Sequence, residues 1–301
     1  MSTTATERTD LPRLADRLAL GSDGLRVSPF CLGMVGDPAV VRAAFDAGVN
    51  FFFVTTDMHW PLYEATRRGL AELFARGQRD RVVVAAVCYP TQPEFCTAPF
   101  EELVEAVPGL GRVDLLLAGG AYGHELALRM PIYADHRRER FLGNRAVGAT
   151  FHDREGAVAA LRERQMDIAY IRYNPDHSGA REDVFPHMPA RPRPLLFNFK
   201  STYGYVPPAR MAEIGLKGPE YWNPEVTDHY RFALTPPEMD GLLIGLRKPD
   251  EVAALEEALE RGPLTEEEEE YLMDVARVAR GEARVAPEGK PLEEDPNGDR
   301  D

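Results

Sequence analysis

Short apolar runs of four to seven residues alternate along this chain with segments of helical spacing, and few architectures satisfy that rhythm. The runs are Ser28–Met34, Asn50–Thr55, Val82–Cys88, Val113–Leu117, Ala146–Thr150, Ile168–Tyr173, Leu195–Phe199 and Gly241–Ile244. They are nearly continuous in apolar character, as strands covered on both faces must be. Helical patterns at Ala39–Ala47, Leu62–Phe74, Phe100–Ala106, Glu155–Arg164 and Asp250–Arg261 lie between most of them. Eight strand–helix units predict an α/β fold of the (β/α)8 barrel type rather than an open sheet. The stretches Ala121–Arg140 and Ser201–His229 read as mixtures of loop and short helix. No internal repeat is expected beyond the alternation itself, and there is no Walker-type glycine loop.

The flanks follow the same logic. Leu18–Met34 carries Ser22-Asp23-Gly24 between two apolar arms, a hairpin turn ahead of the first barrel strand. A C-terminal helix starts at Thr265, where Thr265 and Glu268 form a capping box. Glu266–Glu270 then place negative charge near the helix N-terminus, so this acidic run reads as a cap and not a metal site. Residues 1–17 read as a flexible N-terminus and 18–280 as the barrel. Residues 281–301, with seven acidic and three basic side chains, read as a disordered acidic tail.

Composition narrows the partners. A net charge of −14 disfavours nucleic acid and anionic lipid, which are held through clustered lysine and arginine. The N-terminus lacks the apolar core of a signal peptide, and no apolar run is long enough to span a membrane. Three scattered cysteines, Cys31, Cys88 and Cys96, fit neither a disulfide framework nor a zinc motif. A cytoplasmic protein acting on a small molecule is expected. Nothing specifies an oligomeric state.

Several segments, in order, resemble the aldo-keto reductase superfamily. LALGSDGLRVSPFCLGM is similar to its opening hairpin and first strand, and FDAGVNFFFVTTD to its second-strand region. AVGATF and IRYNPDH are similar to later strand motifs, and YRFALTPPEMDGLLIGLRKPDEVAALEEAL to its closing, cofactor-side segment. The resemblance covers roughly Leu18 to Arg277. It implies an NADP-linked oxidoreductase that works with an Asp, a Tyr, a Lys and a His. Aligned on these motifs, the four positions fall on Val54, His59, Val87 and Gly119, so all four differ. Of the cofactor positions, Thr150, Asn174, Gly245 and Arg247 match in type. The glutamine of the closing segment becomes Glu251, whose charge is unfavourable beside a phosphate.

In a barrel of this type, residues just past the strand C-termini carry the chemistry. Those positions hold Asp57 and His59, His152 and Asp153, Asn174, Asp176 and His177, and then Asn198, Lys200 and Ser201, with Arg247 last. Three readings follow. In the first, His59, beside Asp57, replaces the tyrosine as proton donor without needing a lysine, while Lys200 anchors a substrate carboxylate or phosphate, forms a Schiff base, or pairs with Asp57. In the second, the barrel binds a small molecule or partner without catalysis. In the third, His59, His152 and His177 with Asp57 or Asp153 hold a metal for hydrolysis or lyase chemistry. Each residue also has a plain structural role: His59 as a turn cap, Asp153 as a helix cap, and His177 as a turn residue. Trp60, Tyr89, His152, His177 and Asn198 are the expected substrate-lining set. Asp57, His59 and Lys200 are expected to lie within a side chain's length of one another.

Overall fold

Strands that are apolar on both faces need cover on both, and here they obtain it by closing into a cylinder wrapped in helices. The computed structural model describes residues 8–55, 57–136, 144–284 and 293–294. The barrel strands are β3 (Phe30–Val35), β4 (Phe51–Val54), β5 (Val83–Cys88), β6 (Leu115–Ala121), β7 (Ala146–Phe151), β8 (Ile168–Arg172), β9 (Leu195–Phe199) and β10 (Gly241–Leu246). All pair in parallel in chain order, and β10 closes on β3. Ahead of them β1 (Leu18–Leu20) and β2 (Leu25–Val27) form the expected antiparallel hairpin. It packs beneath the strand N-termini, where Gly21 lies against Arg145 and Asp167.

The interior is filled, not open. Phe51 meets Phe197 at 5.9 Å, Tyr170 meets Phe197 at 5.5 Å, and Phe53 meets Tyr170 at 6.0 Å, all edge-to-face. β4 is not a neighbour of β8 or β9, so the two contacts made by Phe51 and Phe53 cross the barrel, while Tyr170 and Phe197 sit side by side on paired strands. Gly241 makes room for them, since a Cβ there would lie 2.5 Å from the Phe197 ring.

A fourfold repeat appears that the sequence reading did not foresee. Asn50, Asp114, Asp167 and Asp240 each stand immediately before an even-numbered strand, and each side chain accepts a backbone N–H from the second residue of the preceding strand or, for Asn50, from two residues ahead of it. The donors are Ser28 at 2.7 Å, Val84 at 2.9 Å, Val147 at 2.9 Å and Leu196 at 2.8 Å. Each follows an apolar residue, in the pairs Val49-Asn50, Val113-Asp114, Met166-Asp167 and Met239-Asp240. Buried arginines neutralise two of the carboxylates: Arg79 lies 2.9 Å from Asp114, and Arg193 lies 2.6 Å from Asp240.

The helices are α1 (Pro38–Asp46), α2 (Glu64–Ala75), α3 (Ala98–Ala106), α4 (Gly123–Asp135), α5 (Arg154–Arg162), α6 (Ala180–Asp183), α7 (Pro208–Glu213), α8 (Val226–Leu234), α9 (Asp250–Glu260) and α10 (Glu266–Ala279). The two ambiguous stretches contain real helices. α4 persists around Pro131 because it buries Leu126, Arg129, Met130 and Tyr133. In α8 all seven residues from Asp228 to Leu234 are buried. Asp153 caps α5 and Thr265 caps α10, as expected.

The termini need a correction. Residues 8–17, expected to be flexible, are packed: Leu11 and Leu14 join the core, and the Arg17 guanidinium donates to the Gly48 carbonyl at 2.8 Å. An apolar pair three residues apart covers the floor there. Residues 1–7 lie outside the described set. In the acidic tail Ala283–Arg284 pairs with Glu293–Glu294, and the remainder from residue 285 on lies outside the described residues. No helix among the described residues is long and apolar enough to cross a membrane.

Removing the Asp240 carboxylate strands the buried Arg193 guanidinium and the Leu196 N–H. Asp240→Ala is expected to cost about 3–5 kcal/mol in urea denaturation. Asp240→Asn, which can still accept the Leu196 N–H, is expected to cost less.

Candidate functional site

The polar side chains at the strand C-termini form two separate groups. On the β4–β6 side, the chain leaves β4 and turns at once. Thr55 Oγ1 donates to the Val87 carbonyl at 2.9 Å and accepts the Asp57 N–H at 3.2 Å. This fixes Asp57, whose carboxylate is 8% exposed and accepts the Tyr89 N–H at 2.9 Å and the His59 N–H at 3.3 Å. The His59 Nδ1 is buried, 3.8 Å from Asp57 Oδ1, and has no hydrogen bond, while the side chain as a whole is 39% exposed. Its ring rests on Tyr89 with centroids 4.6 Å apart. Trp60 is held under the Arg67 guanidinium.

Gly119 is the position where the resemblance expects a histidine. A Cβ there would lie 2.7 Å from Cδ1 of Tyr89. The Tyr89 ring therefore occupies the space over β6 that a larger side chain would take. Burial, and then the Asp57 charge, raise its phenol to about 12, so it stays protonated and can donate. Beneath lies Arg129, fully buried, whose guanidinium donates to the Cys88 carbonyl and to the Tyr133 hydroxyl. Cys88 is pushed up to about 12 by burial and is not a nucleophile.

The β7–β9 side is cationic. His152 packs edge-on against Phe199 at 5.5 Å, and its pKa is lowered by burial, then by Lys200, then by Arg172. Lys200 has φ of 59°, a left-handed conformation costing a non-glycine residue about 1–2 kcal/mol. Two buried amides hold the loop in that shape. Asn174 Nδ2 donates to the Lys200 carbonyl at 2.8 Å. Asn198 donates to the Tyr173 carbonyl and accepts from Ser201 Oγ. His177 sits in the following turn with Nδ1 3.3 Å from Asn174 Oδ1 and 3.3 Å from Asp176.

This placement revises several expectations. Among the described residues Lys200 makes no ion pair with Asp57; β4 and β9 stand across the mouth, and Lys200 is exposed beside His152. Asn174 and Asn198 are fully buried and brace backbone, so they do not line the mouth as ligand contacts. Thr150 Oγ1 accepts the Gly120 N–H at 2.8 Å. At the β10 exit the Gly245 carbonyl accepts the Tyr230 hydroxyl at 3.0 Å. The Arg247 N–H donates to Glu251 at 2.7 Å, which sets a carboxylate at the start of α9. Among the described residues no group of three His, Cys, Asp or Glu side chains converges as a metal site. His59, His152 and His177 keep separate partners.

Sequence reasoning missed Arg172, which ends β8. A cation closing the otherwise apolar run IAYIR was the available sign. It also missed Arg129, since nothing local marks a helical arginine as buried.

No protein-family model and no curated protein sequence matches the chain. Solved structures share its fold. A proposed aldo-keto reductase from Pseudomonas aeruginosa aligns with TM-score 0.58 and 21% identity, over 83% of this chain and 97% of that one. An aldo-keto reductase from Bacillus halodurans aligns in its holo form with TM-score 0.62 and 15% identity, over 88% of this chain and 97% of that one. Its apo form gives 0.60 and 14% over the same shares. The fold is that of the aldo-keto reductases.

Two outcomes are expected. Gly119→Ala displaces the Tyr89 ring, which changes the ring-current shift of His59 in NMR and lowers stability by about 1–3 kcal/mol. His229, in α8, is 4% exposed, and burial lowers its pKa to about 4. Between pH 6.5 and 4 the unfolded chain therefore binds more protons than the folded one. Stability should fall as pH drops through that window, by about 3 kcal/mol in all. His229→Gln should flatten that slope in denaturation curves.

Proposed function

We propose that the barrel mouth acts on a small polar molecule in an oxidoreductase-type reaction, with His59 as the proton-moving group. The observation that carries this reading is the Asp57–His59–Tyr89 cluster. A buried carboxylate beside Nδ1 favours the tautomer protonated there. The other ring nitrogen of the half-exposed imidazole is then left to exchange a proton with a ligand. The protonated Tyr89 phenol, packed on the same ring, is a second donor within the cluster. The oxidoreductase class itself is supported by likeness of fold, which is analogy.

Such a reaction draws hydride from a nicotinamide nucleotide, and NADP is the form implied by the resemblance. The residues in the corresponding places do not fit its phosphate end. The Arg247 N–H and the start of α9, where an anion would be held, are taken by the Glu251 carboxylate. Thr150 and Asn174 are engaged within the protein. No hydride step is assigned to these residues. Their engagement favours a second reading, a barrel that binds its ligand without catalysis.

Calorimetric titration with NADH and NADPH separates the two. NADH is expected to bind, with NADPH at least about tenfold weaker. Glu251→Gln should narrow the gap. Failure of both nucleotides to bind at about 1 mM removes the oxidoreductase reading and leaves the binding barrel. With NADH and a panel of small aldehydes, His59→Gln is expected to lower kcat by about 10²–10⁴; an unchanged rate would reject His59 as the donor.

A further inference from the structure

The cations of the β7–β9 side have a geometry of their own. In the barrel register Phe151 pairs with Ile171, and Arg172 pairs with Phe199. His152, Arg172 and Lys200 therefore leave three adjacent strands at nearly one level. Other arginines at these exits have carboxylate partners: Arg154 with Asp183, Arg181 with Glu269, and Arg280 with Asp176. Among the described residues Arg172 and Lys200 have none. That is unexpected in a chain with 49 acidic and 35 basic side chains, where a carboxylate is the commoner neighbour.

The cluster is also held in place. Phe199 fixes the His152 ring edge-on, and buried Asn174 and Asn198 hold the backbone on which Lys200 stands. Burial, and then the neighbouring Lys200 and Arg172 charges, lower the affinity of His152 for a proton. An anion placed among them relieves that repulsion and supplies acceptors for the Arg172 guanidinium and the Lys200 ammonium.

We infer that His152, Arg172 and Lys200 form an anion site, which takes the carboxylate or phosphate group of the molecule bound at the mouth. The inference deepens the reading of the mouth as a small-molecule site. It does not depend on the role given to His59, nor on a nucleotide.

The test uses the full chain with inorganic phosphate in one arm and succinate in the other, read by NMR of the His152 imidazole. A saturable rise of the His152 pKa in either arm is expected, and which arm saturates at lower concentration identifies phosphate or carboxylate as the preferred group. Lys200→Gln and Arg172→Gln should each weaken the apparent affinity about tenfold. Arg42→Gln, on an exposed helix face away from the mouth, should leave it unchanged. His59→Gln should also leave it unchanged, so loss of the proton role and loss of the anion site are told apart. No saturable shift up to roughly 50 mM in either arm overturns the proposal, as does an equal shift in the Lys200 and Arg172 variants.

Discussion

The structure depends on the stagger of its strands, and side chains at the barrel floor set that stagger. Asn50, Asp114, Asp167 and Asp240 each reach sideways to an N–H at or just ahead of the beginning of the preceding strand. A parallel pair leaves its terminal N–H groups without a ladder partner, and an unpaired buried donor is costly. Satisfying it with the residue before the next strand fixes how far one strand slides past the other. A slip of one residue would turn every interior side chain outward. The polar residues at the mouth stand within about ten residues of these clamps along each strand, so their mutual positions are inherited from the floor.

The division between what the sequence revealed and what it concealed follows from locality. Strands buried on both faces are continuous apolar runs, and all eight were legible. α5 and α10 were legible through their caps. α4 was not, because Pro131 interrupts the pattern while the burial of Arg129 and Tyr133 sustains the helix. α8 was not, because Asp228, His229 and Arg231 look like surface residues and are buried by contacts distant in sequence. The floor repeat was written in plain view as an apolar residue followed by Asn or Asp. It has meaning only once alternate strands are known to be the ones that clamp.

At the mouth the sequence located the strand-end residues without showing how they group. Asp57 and His59 came together with Tyr89, because Asp57 accepts backbone N–H groups from both sides of the β4–β5 seam. Lys200 joined a different group because β9 lies across the mouth from β4. Gly119 changes meaning most. By sequence resemblance it reads as a position expected to hold a histidine, whereas in the structure it is the space that the Tyr89 ring fills. The mouth thus carries His59 and Tyr89 on one side, His152, Arg172 and Lys200 at the β7–β9 exits, and the Glu251 carboxylate at the start of α9.

Burial of a polar residue at such a mouth is easily taken as proof that it has no part in function. Asn174 and Asn198 show why that inference is incomplete. Neither can touch a ligand, since their amides are engaged with the backbone and with Ser201. Yet the left-handed backbone of Lys200 is disfavoured on its own and persists only where surrounding contacts impose it. The two amides supply those contacts. They fix the backbone from which the exposed Lys200 side chain leaves beside His152. A buried asparagine here acts on the mouth through the backbone it fixes, and burial alone does not separate such a residue from the site.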